Sequence, residues 1–251
     1  MAANGNPTWV DVSLPDVGSS QDFYSSLFGW TFEDQGEEYG HYHMIKAEDG
    51  RVLGGAMAAA PDDPTPPAWT VYLATDDLTG TLERAKEAGG TVLFDAMPTG
   101  ELGTMAIATA PSGAAFGLWE PKTFDGFDAV DASGHPVWFE TMSGDYDADL
   151  KFYAKALGWE PAAMDGVRYS TNRPGEAATA GICDAAEFLP AGTPSYWRVY
   201  FRVDNTDDAV ARLLELGGRV LDGPQDSPFG RLATVADPSG VSFQMIMPSE
   251  A

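Results

Sequence analysis

Asp11 and Glu140 stand 129 residues apart, each two places after a tryptophan, Trp9 and Trp138. A carboxylate beside aromatic rings can pair an amine while the rings stack on a flat, largely apolar body. Tyr72, Tyr200 and Trp119 supply further rings, and Arg198 and Gln244 supply hydrogen-bonding groups. The same two carboxylates can instead pair with Arg198 or Arg202 across strands, which would make them structural. His41 and His43 share one strand face, where an imidazole can act as a general base or simply lie exposed and hydrogen-bonded. Their counterparts are Arg168 and Ser170, so the histidines are not part of a repeated scaffold. His135 falls in a linker and receives no role. Cys183, the one cysteine, excludes an internal disulfide and reads as a small core residue. There is no nucleophile–base pair and no phosphate-binding glycine loop, and Gly54–Gly55 stands isolated.

A long internal repeat must position these groups. The segment WVDVSLPDVGSSQDFYSSLFGW, Trp9–Trp30, returns as WFETMSGDYDADLKFYAKALGW at Trp138–Trp159. Each copy reads as a strand, a turn at Asp16 or Asp145 that caps a helix, and a glycine stop. Tyr39–Lys46 and Arg51–Ala59 read as strands, Pro61–Pro67 with its four prolines as an irregular connection, and Trp69–Ala74 as the next strand. A helix follows over Asp76–Ala88, stopped by Gly89–Gly90, and then strands Thr91–Phe94, Met105–Thr109 and Ala114–Glu120. The fold class is therefore α+β, with two tandem modules over 1–121 and 137–251, each of two βαβββ halves, and a linker over 122–136. Strand alternation puts Trp9, Asp11 and Ser13 on one face, with Thr70, Tyr72 and Ala74, and Ala115, Gly117 and Trp119, as matching sets. In the second module the sets are Trp138, Glu140 and Met142, then Arg198, Tyr200 and Arg202, then Ser242, Gln244 and Ile246.

The early strand ending at Asp16, the FY…LGW helix, the Gly89–Gly90 stop and the DPSG of Asp237–Gly240 together resemble the vicinal oxygen chelate superfamily. That group includes glyoxalase I, bleomycin-resistance proteins and extradiol dioxygenases, and the chain is most similar to its tandem, actinobacterial-type glyoxalase-like members. In the first module the Asp of DPSG is Ala110. The resemblance implies a concave sheet on which catalytic members hold a divalent metal through His, Glu or Gln. Counting from the motifs places those slots at Trp9, Thr70, Gly117 and Gly54–Ala56, and at Trp138, Arg198, Gln244 and Gly181–Ile182. Only Gln244 offers a usable donor, so no metal and no cofactor is expected.

The 251 residues carry 14 basic and 38 acidic side chains, a formal net charge of −24. Such a surface repels phosphate backbones and anionic lipid, excluding nucleic-acid and membrane partners, and it attracts small cations. No apolar run is long enough to span a bilayer and no signal pattern opens the chain, which suggests a cytoplasmic protein. The expected function is metal-independent binding of an aromatic, cationic natural product or drug, for self-resistance or to relieve product inhibition of a biosynthetic enzyme. The expected ligand contacts are Trp9, Asp11, His41, His43, Tyr72, Trp119, Trp138, Glu140, Arg198, Tyr200 and Gln244. The alternative is a metal-independent isomerase, lyase or hydroxylase-like enzyme in the same pocket. A monomer suffices, because two modules in one chain already provide what dimerisation gives single-module relatives, and a homodimer is compatible.

Overall fold

The computed structural model describes residues 3–60, 66–128, 130–189 and 192–249. Most of the proline-rich connection lies outside them. The first half-module runs β1 (Pro7–Leu14), α1 (Val17–Phe28), β2 (Thr31–Asp34), β3 (His43–Lys46) and β4 (Val52–Ala58). The second runs β5 (Trp69–Ala74), α2 (Leu78–Glu87), β6 (Thr91–Thr99), β7 (Gly103–Thr109) and β8 (Ala115–Pro121). The pattern returns as β9 (Pro136–Ser143), α3 (Tyr146–Leu157), β10 (Ala162–Ala163), β11 (Tyr169–Thr171) and β12 (Ala180–Asp184). It closes with β13 (Tyr196–Arg202), α4 (Thr206–Glu215), β14 (Arg219–Ser227), β15 (Gly230–Ala236) and β16 (Ser242–Pro248). Each module is one eight-stranded sheet, ordered β2-β3-β4-β1-β5-β8-β7-β6 and β10-β11-β12-β9-β13-β16-β15-β14. This is the α+β tandem βαβββ fold expected from the sequence.

The caps explain where the helices begin and end. Asp16 accepts from Gly18 N and Ser19 N, and Asp145 accepts from Ala148 N, which satisfies otherwise orphaned donors. Gly29 and Gly158 close the same two helices in the left-handed region, at φ 74° and 68°. One strand starts later than its sequence suggests. Glu37–Tyr39 forms a short 3-10 turn, and Gly40 and His41 follow at φ 61° and 57°, so β3 begins only at His43. The strand Thr31–Asp34 fills the place ahead of that turn.

The compact packing units cut across the modules. One comprises Met1–Trp9, Thr70–Gly126 and Phe139–Arg198; the other comprises Val10–Trp69, Phe127–Trp138 and Val199–Ala251. In the first, Tyr153 stacks on Trp159 at 4.6 Å, with Trp197 edge-on to Tyr153 at 5.7 Å. In the second, the repeat-related Tyr24 stacks on Trp30 at 5.3 Å, with Trp69 edge-on at 6.1 Å. The FY…LGW residues are thus core in both units, and such aromatic pairs each add about 1 kcal/mol beyond burial. Each buried indole finds a partner in a connecting segment, Trp159 Nε1 donating to Gly5 O and Trp30 Nε1 to Gly134 O, both at 2.9 Å.

A buried carboxylate has changed places between the two units. In the first, Asp149 on α3 accepts from Ser112 N at 3.2 Å, from the Ser112 hydroxyl, and from the Ser143 hydroxyl at 2.6 Å. Its counterpart on α1 is Ser20, whose small side chain lines a groove with Ser19, Phe23, Leu216, Pro238 and Ser239. There the carboxylate comes from the loop instead. Asp237 accepts from Val241 N at 2.9 Å, Ser239 Oγ at 2.6 Å and Tyr24 Oη at 3.2 Å, where the first unit has Ala110. Each unit therefore uses one carboxylate to tie a helix to the Pro-Ser-Gly turn, from opposite sides.

The linker is docked. Val52 N donates to Asp128 Oδ2, Asp128 N donates to Val52 O, and Gly134 N donates to Arg202 O. His135 is 2% exposed, and its Nδ1 has no hydrogen-bond partner among the described residues. Burial holds its pKa below the ordinary value of 6.5. The unfolded chain therefore protonates first as pH falls, so this residue removes stability from pH 6.5 downwards. Thermal melts should show Tm falling between pH 7 and 5.5, and His135→Gln should flatten that slope; an unchanged slope would exclude His135 as its source.

Candidate functional site

Sheet register builds the same small constellation twice. Asp11 on β1 pairs in register with Gly55 on β4, and Glu140 on β9 with Gly181 on β12. A tyrosine lies over each glycine, Tyr42 from the residue ahead of β3 and Tyr169 from the start of β11. A Cβ on Gly55 would fall 1.9 Å from the Tyr42 hydroxyl oxygen, and one on Gly181 would fall 1.9 Å from that of Tyr169. Only glycine permits so close an approach. Carboxylate, glycine and phenol therefore form a repeated unit.

Each carboxylate meets a further side chain. Tyr42 Oη donates a long hydrogen bond to Asp11 Oδ2 at 3.5 Å, and Asp11 is buried. Glu140 faces a guanidinium, with Arg198 Nη1 3.6 Å from Glu140 Oε1 and the two side chains only 21% and 9% exposed. That guanidinium also lies 5.9 Å from the Tyr196 ring centroid. Of the cross-strand pairings open in the sequence, Glu140–Arg198 forms, while Arg202 turns to Asp131 at 2.5 Å. Cys183 is half-buried, and burial, then the neighbouring Glu140 charge, pushes its thiol up to about 11. At neutral pH it is no nucleophile.

A second tyrosine lies over a second glycine. Tyr72 pairs in register with Gly117, where a Cβ would fall 2.0 Å from Tyr72 Cδ1. Trp9 packs edge-on to Phe124 at 5.1 Å, and Trp119 Nε1 donates to Phe124 O at 2.9 Å. Gly103 leaves room for the Trp119 ring, since a Cβ there would lie 2.5 Å from it. Trp9, Tyr72 and Trp119 are all buried. In the second module Trp138 is half-buried and Tyr200 is buried in register with Gln244, whose Oε1 accepts from Thr234 Oγ1 at 2.7 Å.

His41 and His43 flank Tyr42 in sequence. His41 has a 64% exposed side chain, and its Nδ1 lies 2.9 Å from Asp34 Oδ2. That hydrogen bond holds the Asp34 carboxyl below the usual range. His43 sits opposite Asp34 and Ala56 in the ladder, with Nδ1 buried and unpartnered among the described residues. Sequence reasoning passed over Tyr42 and Tyr169. The signal was present: HYH at 41–43 and RYS at 168–170 share only the tyrosine, followed on the next strand by Gly54–Gly55 in one case and Gly181 in the other.

The divalent metal implied by the resemblance does not fit these residues. At Gly117, Gly55 and Gly181 a ring or hydroxyl already lies within 2.0 Å of where a ligating side chain would have to start. Trp9 and Trp138 bring indoles, Arg198 a cation, and Gln244 Oε1 is engaged by Thr234.

Residues 7–118 match the Glyoxalase/Bleomycin resistance protein/Dioxygenase superfamily, and residues 130–246 match a glyoxalase-like domain. Anthracycline biosynthesis protein DnrV of Streptomyces peucetius is 32% identical over 97% of this chain and 94% of its own. CFP32 of Mycobacterium tuberculosis, whose name assigns it provisionally to the glyoxylases, is 32% identical over 98% of this chain and 95% of its own. Among solved structures, the Mn(II)-bound glyoxalase from Novosphingobium aromaticivorans covers 100% of this chain and 84% of its own, with TM-score 0.67 and 18% identity. The 2,3-dioxygenase LapB from Pseudomonas sp. KL28 covers 99% and 94%, with TM-score 0.60 and 16% identity. At such identities the two structures establish the fold alone. On its two matched modules and its full-length relatives, this chain belongs to the Glyoxalase/Bleomycin resistance protein/Dioxygenase superfamily.

Proposed function

We propose that this chain is a cytoplasmic, metal-independent binding protein for a planar aromatic, cationic natural product. The reading rests on one observation above all: where the fold's metal ligands would stand, a phenol lies on a glycine opposite a carboxylate, in both modules. A buried carboxylate flanked by rings recognises an ammonium group on an aromatic body, and the shielded setting strengthens that attraction. The net charge of −24 adds long-range steering for cations. The anthracycline biosynthesis proteins of Streptomyces, similar over the full length, give the ligand class a chemical precedent. Held in this way, the compound is kept from the enzyme that made it or from a cellular target.

Titration of tryptophan fluorescence with planar aromatic antibiotics, followed by mass spectrometry of the ligand, tests this directly. Saturable quenching with the ligand recovered unchanged is expected, and chelator should leave affinity unaltered. A second reading draws on the Tyr42–Asp11 contact, since a hydroxyl on a buried carboxylate can relay a proton. Under that reading the ligand is recovered isomerised or cleaved, and Asp11→Asn abolishes the change while binding survives.

A further inference from the structure

We infer that the aromatic body of the ligand is seated on the β5-β8-β7-β6 face of the first module, where Phe94 and Met97 select it by contact. The inference rests on the binding reading above and adds which surface takes the rings. Register sets this face out in two rows. Tyr72, Gly117, Ile107 and Phe94 are successive cross-strand partners, and so are Ala74, Trp119, Met105 and Met97. Directly paired residues share a sheet face. The alternating residues Leu73, Ala106, Ala108 and Leu118 are fully buried on the opposite face. Along the rows exposure rises outwards: Tyr72 and Trp119 are buried, Ile107 and Met105 half-buried, and Phe94 and Met97 66% and 52% exposed. Two register shifts in β6 produce the arrangement. Val92 pairs with Ala108 on the buried side; the first shift turns Phe94 to the open side, and the second keeps Met97 beside it.

The second module repeats this frame with other chemistry. Its strand β14 carries the same two shifts, but the rows read Tyr200, Gln244, Thr234, Asp222 and Arg202, Ile246, Leu232, Gln225. There Thr234 Oγ1 donates to Gln244 Oε1 at 2.7 Å, and Gln225 Nε2 donates to Asp222 Oδ2 at 3.1 Å. The fold thus builds the same edge from polar side chains, so its frame does not demand an exposed phenyl and thioether. Left in water, those groups are unfavourable until something apolar covers them. A second copy of the chain is a poor cover. The shifts and Pro98 break up the strand edge, and a net charge of −24 repels another copy. A flat ring system suits the face, since Phe94 offers a ring to pack against and the methionines adapt to its outline.

Calorimetry on the full chain with 9-aminoacridine, a planar aromatic cation, tests the assignment. Phe94→Asn with Met97→Gln should weaken binding about tenfold, and each single change about threefold. Phe188→Ser, which removes a 75% exposed phenyl from a loop outside this face, should leave affinity unchanged. Both wall positions are exposed, so the melting temperature of the double variant should stay within about 2 °C of wild type, and sedimentation should give both the same oligomeric state. The single changes carry the test if the double variant folds poorly. Unchanged affinity in the folded variants would overturn the seat while leaving the binding reading intact. An equal loss in Phe188→Ser would mean adsorption to any apolar surface, and dimers in wild type that the double variant lacks would make this face a contact between copies; either result sinks the inference. Failure of wild type to bind the compound would remove the binding reading, and the seat with it.

Discussion

Asp149→Ala is expected to destabilise the chain by about 3 kcal/mol, because it strands a backbone N–H and two hydroxyls in a shielded site. Asp149 is fully buried, and all three donors point at its carboxylate from Ser112 and Ser143. The second unit shows that the fold accepts the carboxylate from the other side, since Asp237 does the same work opposite Ser20. Asp149→Ser combined with Ala110→Asp should therefore recover part of the loss, which urea melts of the single and double variants would measure. Full additivity of the two changes would show the positions to be independent and sink the exchange. The pH dependence has a definite sign. Burial raises the Asp149 pKa above its ordinary 3.8, so the folded state holds this proton more tightly than the unfolded chain. Stability contributed here is present at low pH and is lost as pH rises through the folded value. Asp149→Asn should consequently gain on wild type as pH climbs from about 4 to 7.

The repeat made the half-modules and the α+β class legible before any coordinates, because FY…LGW combines a helix face, a glycine stop and a core ring in one motif. Tyr24 and Tyr153, and Trp30 and Trp159, occupy matching stacked pairs in the two cores. The grouping of half-modules into compact units was not legible, since a repeat gives covalent order but not the partner against which each helix packs. The candidate site was read in part. Alternation placed Asp11 and Glu140 on one strand face with Trp9 and Trp138, but their pairing with Gly55 and Gly181 depends on register, which is set by turn geometry rather than by composition. Tyr42 was hidden by its neighbours His41 and His43, whose chemistry drew attention while the repeated residue between them did not. His41 illustrates the limit well: its left-handed φ of 57° and its Asp34 contact both arise from a loop that no period announces.

Gly117→Ala is expected to cost about 2–3 kcal/mol, although it adds a single methyl group, because that methyl would lie 2.0 Å from the Tyr72 ring. Gly55→Ala and Gly181→Ala should cost similar amounts, for each Cβ would enter a tyrosine hydroxyl. Tyr72→Ala removes the obstruction at its own expense, as a buried ring leaves a cavity. In the double variant the two losses should fall short of their sum by about 1–3 kcal/mol, the signature of residues in direct contact. Additive losses in chemical denaturation would mean that Tyr72 moves aside freely and that the glycine is not held by it. The distinction matters for function. If the tyrosines are fixed, a histidine or glutamate placed at Gly117 has no room to reach a metal, and calorimetry with Mn(II) should show no binding to Gly117→His. If Gly117→His binds the ion, the rings are mobile covers over a site the fold still retains, and the metal-independent reading fails at its first step.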